Sequence, residues 1–309
     1  MELASLPLSE LFDTHEDQIE ILREGLPSEK RRSADNLFLL RYVLSYGGPG
    51  QAAKDAVLKA LEWRESYRSL VEAARNCNDE TDSSALREYI AENHLRTLDS
   101  CLQAGFCGTT DCPPGFPLYL IQSGQSALRA LMSQVPGESV SLWLTWRNEI
   151  GYWRCDAASR QSCCLVKQIV VLNLAGCKLM DQDPRFFVAY GRSSNRSEFL
   201  HPQLLARQVV LNPSPFMGYF WALGRRLLSE RLLKKVHVHS GRPAEHLSKY
   251  FQGSPPAGLV ESVSRMRPAS AASSKGSPRA AEDGEAAVRW VEAAGSVDVP
   301  FPAEVVQSS

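Results

Sequence analysis

The chain lacks the run of about 20 consecutive apolar residues that a membrane-spanning helix needs. It also lacks an excess of charge, because 34 basic and 35 acidic residues leave a formal net charge of −1. Because the chain has no excess of basic residues to attract a phosphate backbone, nucleic acid is not an expected partner. The first residues soon include Glu10 and Asp13 and lack the basic region and the apolar region of a secretory signal peptide. We expect a cytoplasmic protein.

Compact motifs for metals and catalysis are missing as well. Cys101, Cys107 and Cys112 cluster near two glycines, but their spacing is not that of a zinc site, and we predict a loop with free thiols. His237 and His239 alternate along one predicted strand and would share a face, yet no third ligand follows nearby. No Gly-x-Ser-x-Gly or His-Glu-x-x-His signature is present. We therefore predict no metal, no cofactor and no enzymatic activity.

The first hundred residues have the periodicity of helices. Asp35 is placed to cap a helix in which Leu37, Leu40 and Leu44 recur at helical spacing, and the glycines from Gly47 onward end it. A longer amphipathic helix is predicted to follow. We expect a helical amino-terminal subdomain over residues 1–100.

Strands alternate with helices in the next part of the chain. Strand-like runs cover residues 118–122, 165–174, 208–212 and 235–239, and helix-length segments separate the last three. Parallel strands need such crossovers, so the pattern predicts an α/β domain with a partly parallel sheet over residues 101–253. From residue 254 to 309, serine, alanine, proline and glycine dominate. This composition predicts a disordered tail, because it cannot bury enough apolar area to offset the entropy of ordering.

Two aromatic segments allow more than one interpretation. Within a predicted helix over residues 139–153, the side chains of Trp143, Trp146, Ile150 and Trp153 recur three or four residues apart. Such a stripe is either core or the wall of a ligand cavity. Residues 215–228 are too apolar for an ordinary surface helix, so this helix is either buried or meets lipid.

Several of these segments together resemble the CRAL-TRIO family of lipid-binding proteins. Leu39-Leu40-Arg41-Tyr42-Val43-Leu44 and Leu61-Glu62-Trp63-Arg64 are similar to motifs of the family's small helical domain. Gly115-Phe116-Pro117-Leu118-Tyr119 resembles the family's opening strand, and Val170-Val171-Leu172-Asn173-Leu174-Ala175-Gly176 resembles its hydrophobic strand that ends in Asp-Leu-x-Gly. The best match runs from His201-Pro202-Gln203 to Asn212-Pro213-Ser214-Pro215-Phe216. The resemblance covers roughly residues 35–252.

The resemblance implies that a mixed sheet forms the floor of an apolar lipid cavity and that the helix after Asn212 is a movable gate. It also implies that Lys235 matches a lysine that contacts the headgroup in phosphatidylinositol binders. Other headgroup positions differ, since Gln203-Leu204 replaces Glu-Arg and Ser45-Tyr46-Gly47 replaces a basic region. Specificity for phosphoinositides does not carry over.

We therefore expect a protein that binds one hydrophobic lipid and exchanges it in transient contact with a membrane surface. Two alternatives stay open: a scaffold with a collapsed cavity, or an α/β enzyme using Cys163, Cys164 or the His237 and His239 pair. The predicted headgroup contact is Lys235. The predicted cavity and gate residues are Trp143, Trp146, Ile150, Trp153, Ile169, Val171, Val209, Leu211, Phe216, Tyr219, Phe220, Trp221 and Leu223.

Overall fold

The structure is a computed structural model that describes residues 6–77, 83–110, 114–178, 181–213 and 230–239, together with residues 245, 247, 248, 255, 259, 260 and 263. Helices come first, and strands and helices then alternate. The elements are, in chain order, α1 (Leu8–Glu24), α2 (Ser28–Arg31), α3 (Asn36–Tyr46), α4 (Gln51–Ser66), α5 (Arg68–Arg75), α6 (Glu92–Cys101), β1 (Ala104–Thr109), β2 (Pro117–Gln122), α7 (Leu128–Gln134), α8 (Gly137–Ser162), β3 (Gln168–Asn173), α9 (Pro184–Leu200), β4 (Leu205–Leu211), α10 (Glu230–Leu233) and β5 (Val236–His239).

The predicted ends of α3 are confirmed. The Asp35 carboxylate accepts a hydrogen bond from the Phe38 backbone N–H at 2.8 Å, which satisfies one of the free donors of the first turn. The helix ends at Gly47, whose φ of 72° is left-handed and favours glycine. A cluster of buried side chains, including Leu22, Leu39 and Val57, joins α3 to α1 and α4.

The sheet has the strand order β1-β2-β3-β4-β5. Strand β1 is antiparallel to β2, whereas β2, β3, β4 and β5 are parallel to one another. Helix α8 lies between β2 and β3 in the chain, and α9 lies between β3 and β4, so both supply the crossovers that parallel strands require. The predicted partly parallel sheet is confirmed.

The register divides the sheet into two faces of different character. Side chains alternate along a strand, so Tyr119 and Gln168 point to one face, which α8 covers. The Arg147 Nε donates to the Tyr119 hydroxyl at 3.3 Å. Helix α8 comes close to the sheet at Gly151, where a Cβ would lie 2.2 Å from Gln168 Oε1. We call the opposite side the apolar face, formed by Leu118, Leu120, Ile169, Val171, Val209 and Leu211.

The structure differs from the sequence prediction at β1 and α8. The expected cysteine loop is wrong over residues 104–109, because Ala104, Gly105 and Phe106 pair with β2. Pairing overrides the low strand propensity of glycine here. Helix α8 runs on to residue 162 rather than ending near residue 153, and it stops at Cys163, where φ is 54°.

The packed part of the chain continues beyond the predicted domain boundary at residue 253. Leu259 and Val263 were assigned to the tail, yet they are buried in the cluster that contains the apolar face. The predicted helix at 215–228 lies outside the described residues, as does most of the predicted tail. None of the described helices has the length and apolar character needed to span a membrane.

Candidate functional site: the apolar face and its polar rim

The apolar face is continuous across three parallel strands. Leu118 pairs with Ile169, and Val171 pairs with Val209, so their side chains form adjacent rows on one side of the sheet. Leu211 extends the row on β4. The four residues that the sequence predicted as cavity floor (Ile169, Val171, Val209 and Leu211) thus lie together on one face, and they are at most 1% exposed.

Three residues from the carboxyl-terminal part of the chain cover this face within the described structure. Leu247, Leu259 and Val263 are at most 1% exposed and pack in the same cluster. Phe116, just before β2, is buried in the same cluster. The apolar face is therefore closed to solvent, and any ligand that lies on it has to displace or rearrange part of this cover.

The tryptophan stripe lies elsewhere. Trp143, Trp146 and Ile150 are buried in a cluster formed with α5, α6 and α7, and the Trp143 Nε1 donates to Asp99 Oδ1 at 3.2 Å. Trp153 is partly buried and packs at the edge of this cluster. These contacts favour the core interpretation over a cavity wall, and a ligand contact of these residues stays a prediction.

The five predicted gate residues lie outside the described residues. They are Phe216, Tyr219, Phe220, Trp221 and Leu223.

Lys235 lies at the amino end of β5, on the rim of the sheet. Its Nζ donates to the Leu205 carbonyl at 2.7 Å, which ties the start of β5 to the start of β4. Gln203 and Ser45, which stand where the family has headgroup residues, are bonded to each other. The Gln203 side-chain amide donates to Ser45 Oγ at 3.1 Å. Lys235 has a defined structural contact, and its role toward a headgroup stays a prediction.

His237 and His239 share a face, as expected from their alternation, because they pair with Val209 and Leu211 of the apolar face. Burial and the nearby Arg207 charge lower the pKa of His237, which favours its neutral form. Across the described part of the chain, no group of three or more His, Cys, Asp or Glu side chains is arranged to hold a metal ion.

A buried charge network that the sequence prediction missed lies between the helices α4 and α8. The Arg64 Nε of α4 donates to Glu149 Oε1 of α8 at 3.0 Å, and His201, just after α9, lies 2.6 Å from Glu149 Oε2. The Trp153 Nε1 also donates to Glu149 Oε1, at 2.9 Å. Arg64 donates in addition to the Leu200 carbonyl at 3.1 Å. The network therefore links the helical subdomain to the sheet domain.

The pKa values of the network follow from burial and charge. Burial alone would raise the pKa of Glu149, but the Arg64 charge and the His201 hydrogen bond outweigh it and lower that pKa to about 2. Burial lowers the pKa of His201, although Glu149 partly opposes this. Glu149 is thus ionised and His201 is held toward its neutral form. Arg64, Trp153 and His201 all belong to segments noted in the sequence, but nothing in the sequence indicated that they meet at Glu149.

One open cavity lies away from the apolar face. It has a volume of about 530 Å³ and lies near the carboxyl end of β2, where Gly124, Ser126, Arg129, Ser133 and Asp181 contribute to its lining. Ala127 and Ala130 also line it, so its lining mixes apolar and polar groups, and none of the six residues of the apolar face contributes to it.

Comparison with known proteins supports the fold. No family model matches the sequence. The structure is similar to the crystal structure of Sfh5, a Sec14-like CRAL-TRIO protein, with a TM-score of 0.51 and 15% sequence identity over 81% of this chain and 85% of that chain. The predicted α/β architecture, with a helical amino-terminal subdomain and a mixed sheet with flanking helices, is confirmed. At this identity the similarity shows the fold alone.

Proposed function

We propose that this protein binds one hydrophobic lipid on the apolar face of its sheet and exchanges it at a membrane surface. The observation that carries the proposal is the row of aliphatic side chains across β2, β3 and β4, on the side of the sheet opposite α8. The fold shared with a Sec14-like protein supports it. The ligand class is a phospholipid or an isoprenoid-like lipid.

The apolar face suits an acyl chain in energetic terms. Each methylene buried there contributes about 0.8 kcal/mol, so about ten buried methylenes contribute about 8 kcal/mol. Ile169, Val171 and Val209 offer no polar atom that would favour a polar ligand at the centre of the face. Affinity would come from the chain of the lipid, and any selectivity from the polar rim.

Exchange at a membrane rests on the sequence alone. Residues 215–228 carry more apolar side chains than one buried helix face requires, and Arg225 and Arg226 follow the aromatic residues. Basic residues next to an apolar helix favour an anionic membrane surface by about 1 kcal/mol each. We propose transient peripheral contact through this segment.

We infer binding rather than catalysis. Cys163 is exposed at the end of α8, where its Sγ lies 4.0 Å from the Arg160 carbonyl, and Cys164 is partly buried. Neither thiol makes a hydrogen bond to a histidine within the described structure, so the first candidates for a nucleophile lack an activating base.

A scaffold with a collapsed cavity is the second candidate function. It is favoured by the burial of the apolar face under Leu247, Leu259 and Val263 in the described structure. In that case the fold would be retained for a protein partner rather than for a lipid.

Native mass spectrometry and lipid extraction of the purified full chain test the two functions. A lipid present at one mole per mole of protein supports the proposal, and a lipid-free protein that takes up no labelled lipid from vesicles contradicts it.

A pair of matched variants places the lipid on the sheet. Val209→Phe adds volume on the apolar face, and Val210→Phe adds the same volume on the α8 side, where Val210 is equally buried at 1% exposure. If lipid occupies the apolar face, Val209→Phe should reduce lipid uptake, with less loss of stability than Val210→Phe. Overpacking a closed core costs about 1–3 kcal/mol, so equal losses of stability for both variants would favour the scaffold.

A further inference from the structure

Arg41 is a buried cation whose donors are not all used. It lies on α3 and has no exposed surface, and its Nη2 donates to Ser159 Oγ at 3.1 Å. Its Nε and Nη1 have no hydrogen-bond partner. A guanidinium stays protonated in proteins, so the charge cannot be removed by deprotonation. A buried charge without a counter-ion is costly.

Ser159 links Arg41 to the backbone of Val166, two residues before β3 begins. The Ser159 hydroxyl accepts from the Val166 backbone N–H at 2.9 Å and donates to the Cys155 carbonyl at 2.6 Å, in addition to its bond with Arg41. Its hydrogen-bonding capacity is therefore filled. Lys167 follows Val166 directly, so a second basic residue stands just before β3, one position after the backbone N–H that shares Ser159 with Arg41.

Lys167 also lacks a counter-ion. Its side chain is partly buried and makes no hydrogen bond or ion pair in the described structure. Burial lowers the pKa of Lys167 to about 8, and the charges of Lys235 and then Arg41 add to the effect. Lys235 reaches the Leu205 carbonyl at the start of the adjacent strand, so Lys167 and Lys235 both lie at the amino edge of the parallel strands, just before β3 and β5.

The buried carboxylates of the described residues are all bound by other arginines. Glu149 is held by Arg64 at 3.0 Å, Asp156 by Arg160 at 2.7 Å, and Asp183 by Arg185 at 2.8 Å. None of these three carboxylates forms an ion pair or a hydrogen bond with Arg41 or Lys167. Arg41 and Lys167 are therefore not neutralised by a carboxylate of the described residues, and a counter-ion from outside would complete their neutralisation.

We propose that Arg41 and Lys167, with Lys235 beside them, form a binding site for a phosphate or carboxylate group. The free donors of Arg41 form the floor of the site, and the partly exposed Lys167 forms its entrance. Charge-assisted hydrogen bonds to a guanidinium and an ammonium are the contacts that such anions make. The resemblance implied a role only for Lys235, so Arg41 and Lys167 add two donors that it does not assign.

Two sources can supply the anion: the headgroup of a lipid, or a free anion. A lipid with its headgroup at this site would deepen the proposed function, whereas a free anion would not depend on it. A phosphate titration combined with a lipid uptake assay separates these sources, and the titration gives a result even if the protein binds no lipid.

The first arm titrates the full chain with inorganic phosphate at constant ionic strength, following the 31P line width and the melting temperature. Saturable binding is expected. Lys167→Gln should raise the phosphate Kd at least about tenfold, which corresponds to about 1.4 kcal/mol. The ligand-free variant should melt at the same or a higher temperature, because an unpaired, partly buried charge has been removed. A lysine with a purely structural role would lower the melting temperature when replaced.

Lys59→Gln is the matched control, since it removes the same charge from an exposed position on α4. It should leave the phosphate Kd unchanged. The proposal is overturned if phosphate acts no differently from chloride, or if Lys59→Gln and Lys167→Gln weaken binding equally.

The second arm compares two labelled lipids that share their acyl chains, phosphatidic acid and diacylglycerol, each offered in phosphatidylcholine vesicles. A headgroup at the site predicts that Lys167→Gln reduces uptake of phosphatidic acid at least about tenfold and leaves uptake of diacylglycerol unchanged. Equal uptake of both lipids, with phosphate binding lost, identifies a free anion. If neither lipid is taken up while phosphate still binds, the result contradicts the lipid function and supports the anion site.

Discussion

Replacement of Glu149 by glutamine should destabilise the protein strongly, although the two side chains have nearly the same shape. Glu149 has no exposed side-chain surface and accepts from Arg64, His201 and Trp153. Its replacement leaves the buried Arg64 charge without a counter-ion and puts an amide N–H against other donors. Breaking a buried ion pair from one side costs about 3–5 kcal/mol, and we expect Glu149→Gln to cost this amount.

Urea unfolding followed by tryptophan fluorescence and circular dichroism measures this loss. The control is the double variant Arg64→Met with Glu149→Leu, which removes both charges and should recover most of the lost free energy, because well-packed apolar residues often replace a buried ion pair without net cost. A loss below about 1 kcal/mol for Glu149→Gln, or a double variant less stable than the single one, would refute the assigned role of the network.

The same network predicts loss of stability in acid. The folded-state pKa of Glu149 is about 2, below the unfolded value of about 4.3, so its contribution is complete above pH 4.3 and is lost as the pH falls toward 2. That difference corresponds to about 3 kcal/mol, which agrees with the cost expected for the substitution. The lowered pKa of His201 adds a loss that begins as the pH falls below about 6.5. Glu149→Gln should flatten the acid limb of the stability profile.

Three further outcomes are expected. Trp221→Asp should slow lipid transfer between vesicles much more than it lowers the melting temperature if residues 215–228 meet the membrane, whereas unfolding of the variant would assign Trp221 to the core. Lys235→Ala should weaken uptake of phosphorylated inositol lipids, if these bind, and spare neutral lipids, so equal losses in a transfer assay would mean that Lys235 is structural. Truncation after residue 253 should lower stability in urea by about 3–6 kcal/mol, because Leu259 and Val263 are buried, and a truncated protein as stable as the full chain would contradict their packing.

Regular local patterns were readable from the sequence. The cap at Asp35, the stop at Gly47 and the parallel strands follow from propensity and periodicity, which depend on neighbouring residues. Strand β1 was missed because Gly105 and Gly108 have low strand propensity, and the strand forms through its pairing with β2. Such pairing is a tertiary effect and leaves no periodicity in the strand itself.

The polar contacts depended on the three-dimensional structure. Arg64 and Glu149 are 85 residues apart in the chain, and Arg41 and Ser159 are 118 apart. Neither pair has a spacing rule that a single sequence could reveal. The burial of Leu259 was missed for a different reason, since a few apolar residues within a polar, small-residue segment do not raise its average hydrophobicity. A short stretch can dock on an apolar face without being apolar overall.

The cover of the apolar face suggests why a lipid bound there would be exchangeable. If a lipid takes the place of Leu247, Leu259 and Val263, the protein loses the burial of three aliphatic side chains, each worth about 1.5–3 kcal/mol. The resulting cost of about 5–9 kcal/mol is close to the roughly 8 kcal/mol that ten buried methylenes contribute. Exchange between the protein's own side chains and a lipid would then be nearly balanced, so a bilayer that accepts the displaced apolar surface could decide its direction.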